Sequence, residues 1–241
     1  MFQPMKNQKI NRMKNIFLLL SCFLSLMIQA QNDMQPKAGP APTINIGKPQ
    51  SFELTNGLKV MVVENHKLPR VSFNLTIDNA PYSEGNKAGV SSLTSMLIGS
   101  GSEKISKDTF NEEVDFLGAD ISFSNSGAYA NGLSKYSKRI LELMAEGALH
   151  TNFTQAEFDK QKAKLLEGLK ATEKSVPSVS RRVENALAYG KSHPFGEFIT
   201  EASINNITLD DVILNFNTYF VPENAYLVIV GDVNYDEIKA H

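Results

Sequence analysis

The hydrophobic positions of the chain recur with two different periods, and the switches between them lay out the secondary structure. In "SFELTNGLKVMVVEN", residues 51–65, two β-rich runs flank Asn56-Gly57, a pair whose tolerance of positive φ favours a tight hairpin turn. "RVSFNLTID" (70–78) alternates Val71, Phe73, Leu75 and Ile77 with polar residues, which predicts a strand with one buried face. In "NKAGVSSLTSMLIGSGS" (86–102), Val90, Leu93 and Leu97 recur every three to four residues between bracketing glycines, and a helix with one apolar stripe follows. "SKDTFNEEVDFLGA" (106–119) predicts a second helix, capped by Ser106, burying Phe110, Val114 and Leu117 and stopped at Gly118. "DISFSNSGAYANGLS" (120–134) alternates small and aromatic residues and predicts one strand or two.

Three helical patterns come next. "SKRILELMAEGALH" (137–150) turns Ile140, Leu141, Met144 and Ala148 inward. "TQAEFDKQKAKLLEGLKATEK" (154–174) opens with Thr154 and Glu157, the spacing of a capping box, and points Phe158, Leu165, Leu166 and Leu169 inward. "SVSRRVENALAYG" (178–190) is a shorter amphipathic stretch. Beyond the loop "SHPFGEF", "TLDDVILNFNTYF" (208–220) is a helix capped by Thr208, with Asp210 and Asp211 favourable in its first turn. "AYLVIVGDV" (225–233) is a near-continuous apolar run and reads as a strand buried on both faces. "NYDEIKAH" (234–241) begins another helix. Strands first, helices in the middle and a strand at the end predict an α+β fold, an antiparallel or mixed sheet with helices packed on one face.

The N-terminal pattern differs. Lys6, Lys9, Arg12 and Lys14 precede the 13-residue apolar run Ile16–Ile28 and a small residue at Ala30, the form of a signal peptide over residues 1–30, cleaved near Ala30–Gln31. A membrane span needs roughly 20 apolar residues, so the run is short for an anchor. Met13 is an alternative start. The only cysteine, Cys22, sits in a faint lipoprotein box, but the apolar run continues past it. Cleavage at Ala30 leaves no cysteine, which excludes disulfides and thiolate metal sites from the mature chain. Residues 31–50 hold four prolines and two glycines and read as a linker, with the folded unit at 51–241. The expected location is secreted or periplasmic. A net charge of −2 steers toward neither nucleic acid nor any strongly charged partner.

Four pieces in order resemble the insulinase-like zinc peptidases, the family of pitrilysin and mitochondrial processing peptidase. They are "LTNGLKVMVVEN", the helix from Gly89 to Gly101, "HPFGEF", and the tail "ITLDDV…FNTYFVPENAYLVIVGDV". The resemblance covers about residues 51–241 and implies the N-terminal unit of that fold, with further repeats in the full family architecture that this chain lacks. In active members the first helix carries H-x-x-E-H. Histidines at i and i+4 share a helix face and hold Zn²⁺, while the glutamate activates water. Counting from Gly89 to Gly101 puts the first histidine at Ser92, the glutamate at Ser95 and the second histidine at Met96. A later helix supplies a glutamate ligand, and that position falls on Gly168, with Glu167 one residue away.

None of these residues replaces the ligand it stands for. A neutral hydroxyl is a poor zinc donor, a thioether prefers softer ions, and glycine has no side chain. His66, His150, His193 and His241 are scattered, no pair of them at ligand spacing, and His193 belongs to a structural loop of the family pattern. Gly99–Ser102, "GSGS", lacks the lysine of a phosphate loop, and Ser92 and Ser95 have no neighbouring base. The expectation is therefore no catalytic, metal or cofactor-binding residue in this chain. It is a silent homologue that would pair with an active insulinase-like peptidase subunit and assist peptide binding. The alternatives are an active zinc peptidase with displaced ligands, or a stand-alone binding or assembly module.

Overall fold

The computed structural model describes residues 14–20, 39–40, 49–102 and 104–241. The chain divides into two compact units, Met1–Ile46 and Gly47–His241. In the first, residues 14–20 are helical, with Ile16, Phe17, Leu18, Leu19 and Leu20 exposed. Cys22, the cleavage point at Ala30–Gln31, Met13 and nearly all of the expected linker lie outside the described residues. No described helix is long and apolar enough to cross a membrane.

The second unit is built on a six-stranded mixed sheet. Its strands are β1 (Gln50–Glu53), β2 (Lys59–Glu64), β3 (Arg70–Ile77), β4 (Asp120–Ser124), β5 (Gly127–Leu133) and β6 (Ala225–Gly231), in the spatial order β1-β2-β6-β3-β5-β4. The Asn56-Gly57 turn joins β1 to β2 as expected, with Gly57 at φ +86° and Asn56 Oδ1 accepting from Leu58 N. Residues 120–134 form two strands, paired antiparallel. β6 inserts between β2 and β3, parallel to the first and antiparallel to the second, so the last strand occupies the centre of the sheet.

Period-two alternation sends one set of strand residues to the core. Val60, Val62, Val71, Phe73, Ala128, Ala130, Leu227 and Ile229 pack against Phe110 and Leu117 of helix α2 (Lys107–Leu117). They also meet Ile140, Leu143, Met144 and Ala148 of helix α3 (Ser137–Leu149). α2 begins at Ser106, whose side chain accepts from Thr109 N, and ends at Gly118 in the left-handed conformation. Val114 of α2 and Leu75 of β3 reach only half-burial.

Other expectations about burial change as well. β6 is buried on one face: Ala225, Leu227 and Ile229 point inward, while Tyr226 and Val228 are half-buried and Val230 is exposed. The second sheet face, which also carries Met61, Val63, Asn74 and Tyr129, is half-buried to exposed, so among the described residues β6 has an apolar outer row with no helical layer over it. In α3 the fully buried residue is Leu143, at 0% exposure, whereas Leu141 is half-buried. Leu143 lies one turn after Ile140 and one residue before Met144, which centres the stripe there.

A second apolar cluster joins three further helices. Val90, Leu93 and Leu97 of α1 (Val90–Leu97) meet Phe158 and Leu165 of α4 (Gln155–Glu173) and Val212 of α7 (Leu209–Tyr219), with Ile207 between. Thr154 caps α4 by accepting from Glu157 N, but the reciprocal half of the capping box is not made. Glu157 turns instead to Lys107 and Lys160, at 3.7 and 3.4 Å. Burial pushes its carboxyl up, yet the two lysines prevail and hold it below the usual value. Leu166 and Leu169 of α4 are only half-buried. Helix α5 (Val176–Tyr189) buries no residue fully and turns Val176, Val183 and Leu187 to solvent. A single turn, α6 (Glu201–Asn205), precedes α7, and α8 (Tyr235–Ala240) closes the described chain.

Candidate functional site

Contacts at its start, middle and end fix α1 in place. Its N-cap is Gly89, at φ +109°, which has no side chain with which to satisfy the first free N–H groups. Glu84 supplies the missing acceptors: its carboxylate takes Gly89 N at 2.5 Å and Ser91 N at 3.1 Å, placing a negative charge at the positive end of the helix. Glu84 is held in turn. Glu197, from the "HPFGEF" loop, accepts from Glu84 N at 3.0 Å and from Gly85 N at 2.9 Å. The loop turns on His193, whose carbonyl accepts from Gly196 N and Glu197 N and whose Nδ1 accepts from Phe195 N. A Cβ at Gly196 would lie 2.0 Å from the carbonyl oxygen of Gly190, so only glycine fits that approach.

The middle of the helix is tied by a buried polar chain. Thr94, 1% exposed, places Oγ1 2.9 Å from Val90 O and 3.1 Å from Asn215 Oδ1. Asn215 Nδ2 donates to the Tyr82 hydroxyl at 3.0 Å, and Tyr82 stacks on Tyr219 with ring centroids 3.7 Å apart. Burial pushes the Tyr82 phenol above its ordinary value despite the bond from Asn215, so it is neutral at physiological pH. At the C-terminal end, Gly99, at φ +76°, lets Phe123 of β4 approach so closely that a Cβ there would fall 2.1 Å from the ring.

The face that would do chemistry is different. Ser95 Oγ donates to Asn125 Oδ1 at 2.7 Å and accepts from Asn125 N at 2.8 Å, so the β4–β5 turn closes onto the helix at that point. Ser92 lines a neighbouring cleft, and Met96 is half-buried. Gly168 on α4 is exposed, with open space where a Cβ would stand. Glu167 follows Leu165 by two residues, about 200° around the helix, and points away from the α1–α4 contact that Leu165 makes. This donor set does not fit Zn²⁺: one hydroxyl is committed to Asn125, a second is neutral, a thioether is too soft and the fourth position is bare. Among the described residues no three His, Cys, Asp or Glu side chains converge as a metal site would require.

The histidines lie elsewhere. His66 Nδ1 meets Asp232 Oδ1 at 2.7 Å, its Nε2 is 3.8 Å from Glu64, and Ser134 donates to the other oxygen of Asp232. The hydrogen bond to Asp232 raises the His66 pKa and lowers that of Asp232. This is an exposed hydrogen-bonded pair joining the turn after β2 to the residue after β6. His241 approaches Glu142 at 3.8 Å, His193 stacks on Tyr189, and His150 is exposed at the end of α3. Asn125, Glu84, Glu197 and Asn215 are the residues that sequence reasoning passed over. Only Glu197, inside "HPFGEF", carried a visible signal.

The family profile described as Insulinase (Peptidase family M16) matches residues 59–194. The beta subunit of mitochondrial-processing peptidase from Rattus norvegicus is 24% identical over 210 residues, 84% of this chain and 42% of that protein. YmxG of Bacillus subtilis, described as an uncharacterized zinc protease, is 21% identical over 195 residues, 78% of this chain and 47% of its own. The chain thus spans somewhat under half the length of these relatives. Among solved structures, a peptidase M16 inactive domain from Pseudomonas fluorescens superposes with a TM-score of 0.72 at 24% identity, over 80% of this chain and 48% of that one.

Proposed function

Because the chain belongs to the insulinase family, peptidase family M16, we propose that it is a catalytically silent homologue, the non-catalytic partner of an active zinc peptidase subunit of the same family. In this reading it takes no zinc of its own and contributes surface for holding peptide. The observation that carries it is the state of α1. The helix is held by Glu84, Thr94 and Gly99 as a catalytic helix must be, while Ser92, Ser95, Met96 and Gly168 stand where the family pattern puts two histidines and two glutamates. The Ser95–Asn125 pair supports the reading further, because it commits the water-activating position to an internal contact. The basic segment and 13-residue apolar run before Ala30 favour export, to the periplasm or the exterior.

Metal analysis tests the silent reading. The purified protein, dialysed against trace zinc, should retain far less than one equivalent and should cleave none of a panel of unstructured peptides. About one tightly held zinc per chain, or hydrolysis lost on chelation, would mean that ligands other than the matched positions do the work. The partner half is tested by mixing the chain with an H-x-x-E-H homologue encoded by the same genome. A stable complex with raised peptide turnover supports it. Two proteins that migrate separately, with the homologue fully active alone, would leave a stand-alone binding module as the better reading.

A further inference from the structure

A cavity of about 160 Å³ opens between the β1–β2 turn, the C-terminal half of α3 and residues 220–222 ahead of β6, and no residue of α1 lines it. Packed interiors leave few voids larger than a water molecule, so a space of this size calls for a cause. The sequence supplies one. Ala145 and Ala148 on α3 and Ala225 at the start of β6 each give the wall only a methyl group. Leu58, Leu75, Leu227, Met144 and Phe220 close the remaining sides, and Leu149, 55% exposed, stands at the mouth.

The lining narrows the occupant. Among the described residues that line it, Asn56 has the only polar side chain, and its Oδ1 already accepts from Leu58 N at 3.2 Å. Water needs two to four polar partners and is poorly held in such a place, whereas a cavity of about 150 Å³ lined by Leu, Ile and Phe takes up benzene. A charged group would lose its hydration and find no counter-charge. An aromatic ring finds more than apolar surface. Phe153, Phe216 and Phe220 form a row with centroids 5.2 and 5.0 Å apart, and the row ends at the cavity wall. Met144 adds a polarisable thioether, which favours contact with rings. Flanking peptide amides would meet no side-chain partner beyond Asn56, so the lining suits a free small molecule better than a residue within a chain.

We propose that this cavity is a binding site for a small, uncharged molecule built on a single aromatic ring. The site is independent of peptide handling at α1. A ring seated there bridges α3, the β1–β2 hairpin and the residues leading into β6, so its binding stabilises the seat of the central strand by mass action.

The experiment is an NMR titration of the purified chain, labelled at its methionine methyl groups, with toluene as the probe. Met144 lines the cavity, while Met61 on the outer sheet face and Met96 on α1 serve as internal controls. The Met144 methyl should shift saturably, with half-saturation at about 1 mM or below, from the burial of one ring, and the two controls should stay in place. Benzoate, the same ring with a charge attached, should bind at least about ten-fold more weakly. N-acetyl-phenylalanine amide, the same ring with peptide flanks, should also bind more weakly than toluene. A145F, which fills the cavity from a half-buried position, should abolish the toluene shift. L149A, at an exposed residue whose loss leaves the fold standing, should weaken toluene about three-fold. Thermal unfolding gives a second reading: Tm should rise with toluene concentration in the unaltered chain and stay flat in A145F. A Met144 methyl that does not move up to the solubility of toluene, or that drifts together with Met61 and Met96, would overturn the site. So would benzoate binding as tightly as toluene, or a toluene response untouched by both variants. Tighter binding of the phenylalanine amide than of toluene would overturn the assignment to a free small molecule.

Discussion

Putting the family's acidic residues back should move stability in opposite directions at two positions. Ser95→Glu removes both hydrogen bonds to Asn125, at 2.7 and 2.8 Å, and strands a part-buried N–H and carbonyl on the turn. At about 1 kcal/mol per bond the loss is about 2 kcal/mol. For a unit of this size each kcal/mol shifts Tm by roughly 2–4 °C, so a drop of about 4–8 °C follows. Ser95→Ala should lose nearly as much, since it breaks the same pair. Gly168→Glu replaces a mid-helix glycine where a Cβ meets nothing within 4 Å. The gain in helix propensity, about 0.5–1 kcal/mol, should raise Tm by about 1–4 °C. The quadruple variant Ser92→His, Ser95→Glu, Met96→His, Gly168→Glu should therefore be net destabilised, bind zinc weakly, and hydrolyse no peptide. Outer partners that orient metal ligands commonly matter 10–100-fold, and the polar groups described around α1 are engaged elsewhere, Glu84 with Gly89 N and Ser91 N and Asn215 with Thr94. Thermal unfolding by circular dichroism in the presence of a chelator isolates the stability effect, and titration calorimetry with zinc reads the metal. A Tm that Ser95→Glu leaves unchanged or raises, or efficient turnover by the isolated quadruple variant, would refute the reasoning.

Four further outcomes are expected. Leu143→Ala should cost about 2–5 kcal/mol in urea unfolding, and Leu141→Ala less than half as much, because only the first is fully enclosed. Glu84→Ala should destabilise by about 1–2 kcal/mol through loss of the anionic cap on α1, with Glu84→Gln recovering part of it, measured by the same unfolding curves. For His66 the sign is set by its raised pKa: protonated His66 favours the folded state below the unfolded value near 6.5, and that contribution fades as pH rises through the folded value. An NMR titration should place the His66 pKa above 6.5, with Asp232→Asn returning it toward 6.5. N-terminal sequencing of exported protein should begin near Gln31, and a mature chain starting at lipid-modified Cys22 would contradict signal cleavage at Ala30.

The parts of the fold that depend on local rules were legible in the sequence. Asn56-Gly57 marked the hairpin, Ser106 and Gly118 bounded α2, and Thr208 capped α7, each through a contact within a few residues. What escaped depended on partners far along the chain. In "AYLVIVGDV" both parities are apolar, and whether the outer row is covered depends on a second layer that no local pattern encodes. Glu157 has capping-box spacing, but Lys107, from another helix, competes for its carboxylate. The candidate site divides the same way. The positions that the family pattern matches, Ser92, Ser95 and Met96, were countable from Gly89, because ligand spacing is a helix-periodic property. Asn125 was not, since its bond to Ser95 spans 30 residues. Nor was the role of Glu84, which caps a helix from five and seven residues upstream through a loop that Glu197 holds from more than a hundred residues away.

The position of β6 also constrains how this protein comes to be folded. β2 and β3 are consecutive in the chain yet never touch as neighbours, because residues 225–231 lie between them. Until that segment is available, the hairpin β1–β2 and the group β3-β5-β4 each present an unpaired edge to solvent. The closing contacts, such as Lys59 with Tyr226, span 167 residues, a high-contact-order event that must wait for nearly the whole described sequence. Those two edges stay open to edge-to-edge association until the last strand is in place, so the order of synthesis leaves the sheet's centre as its final and most exposed step.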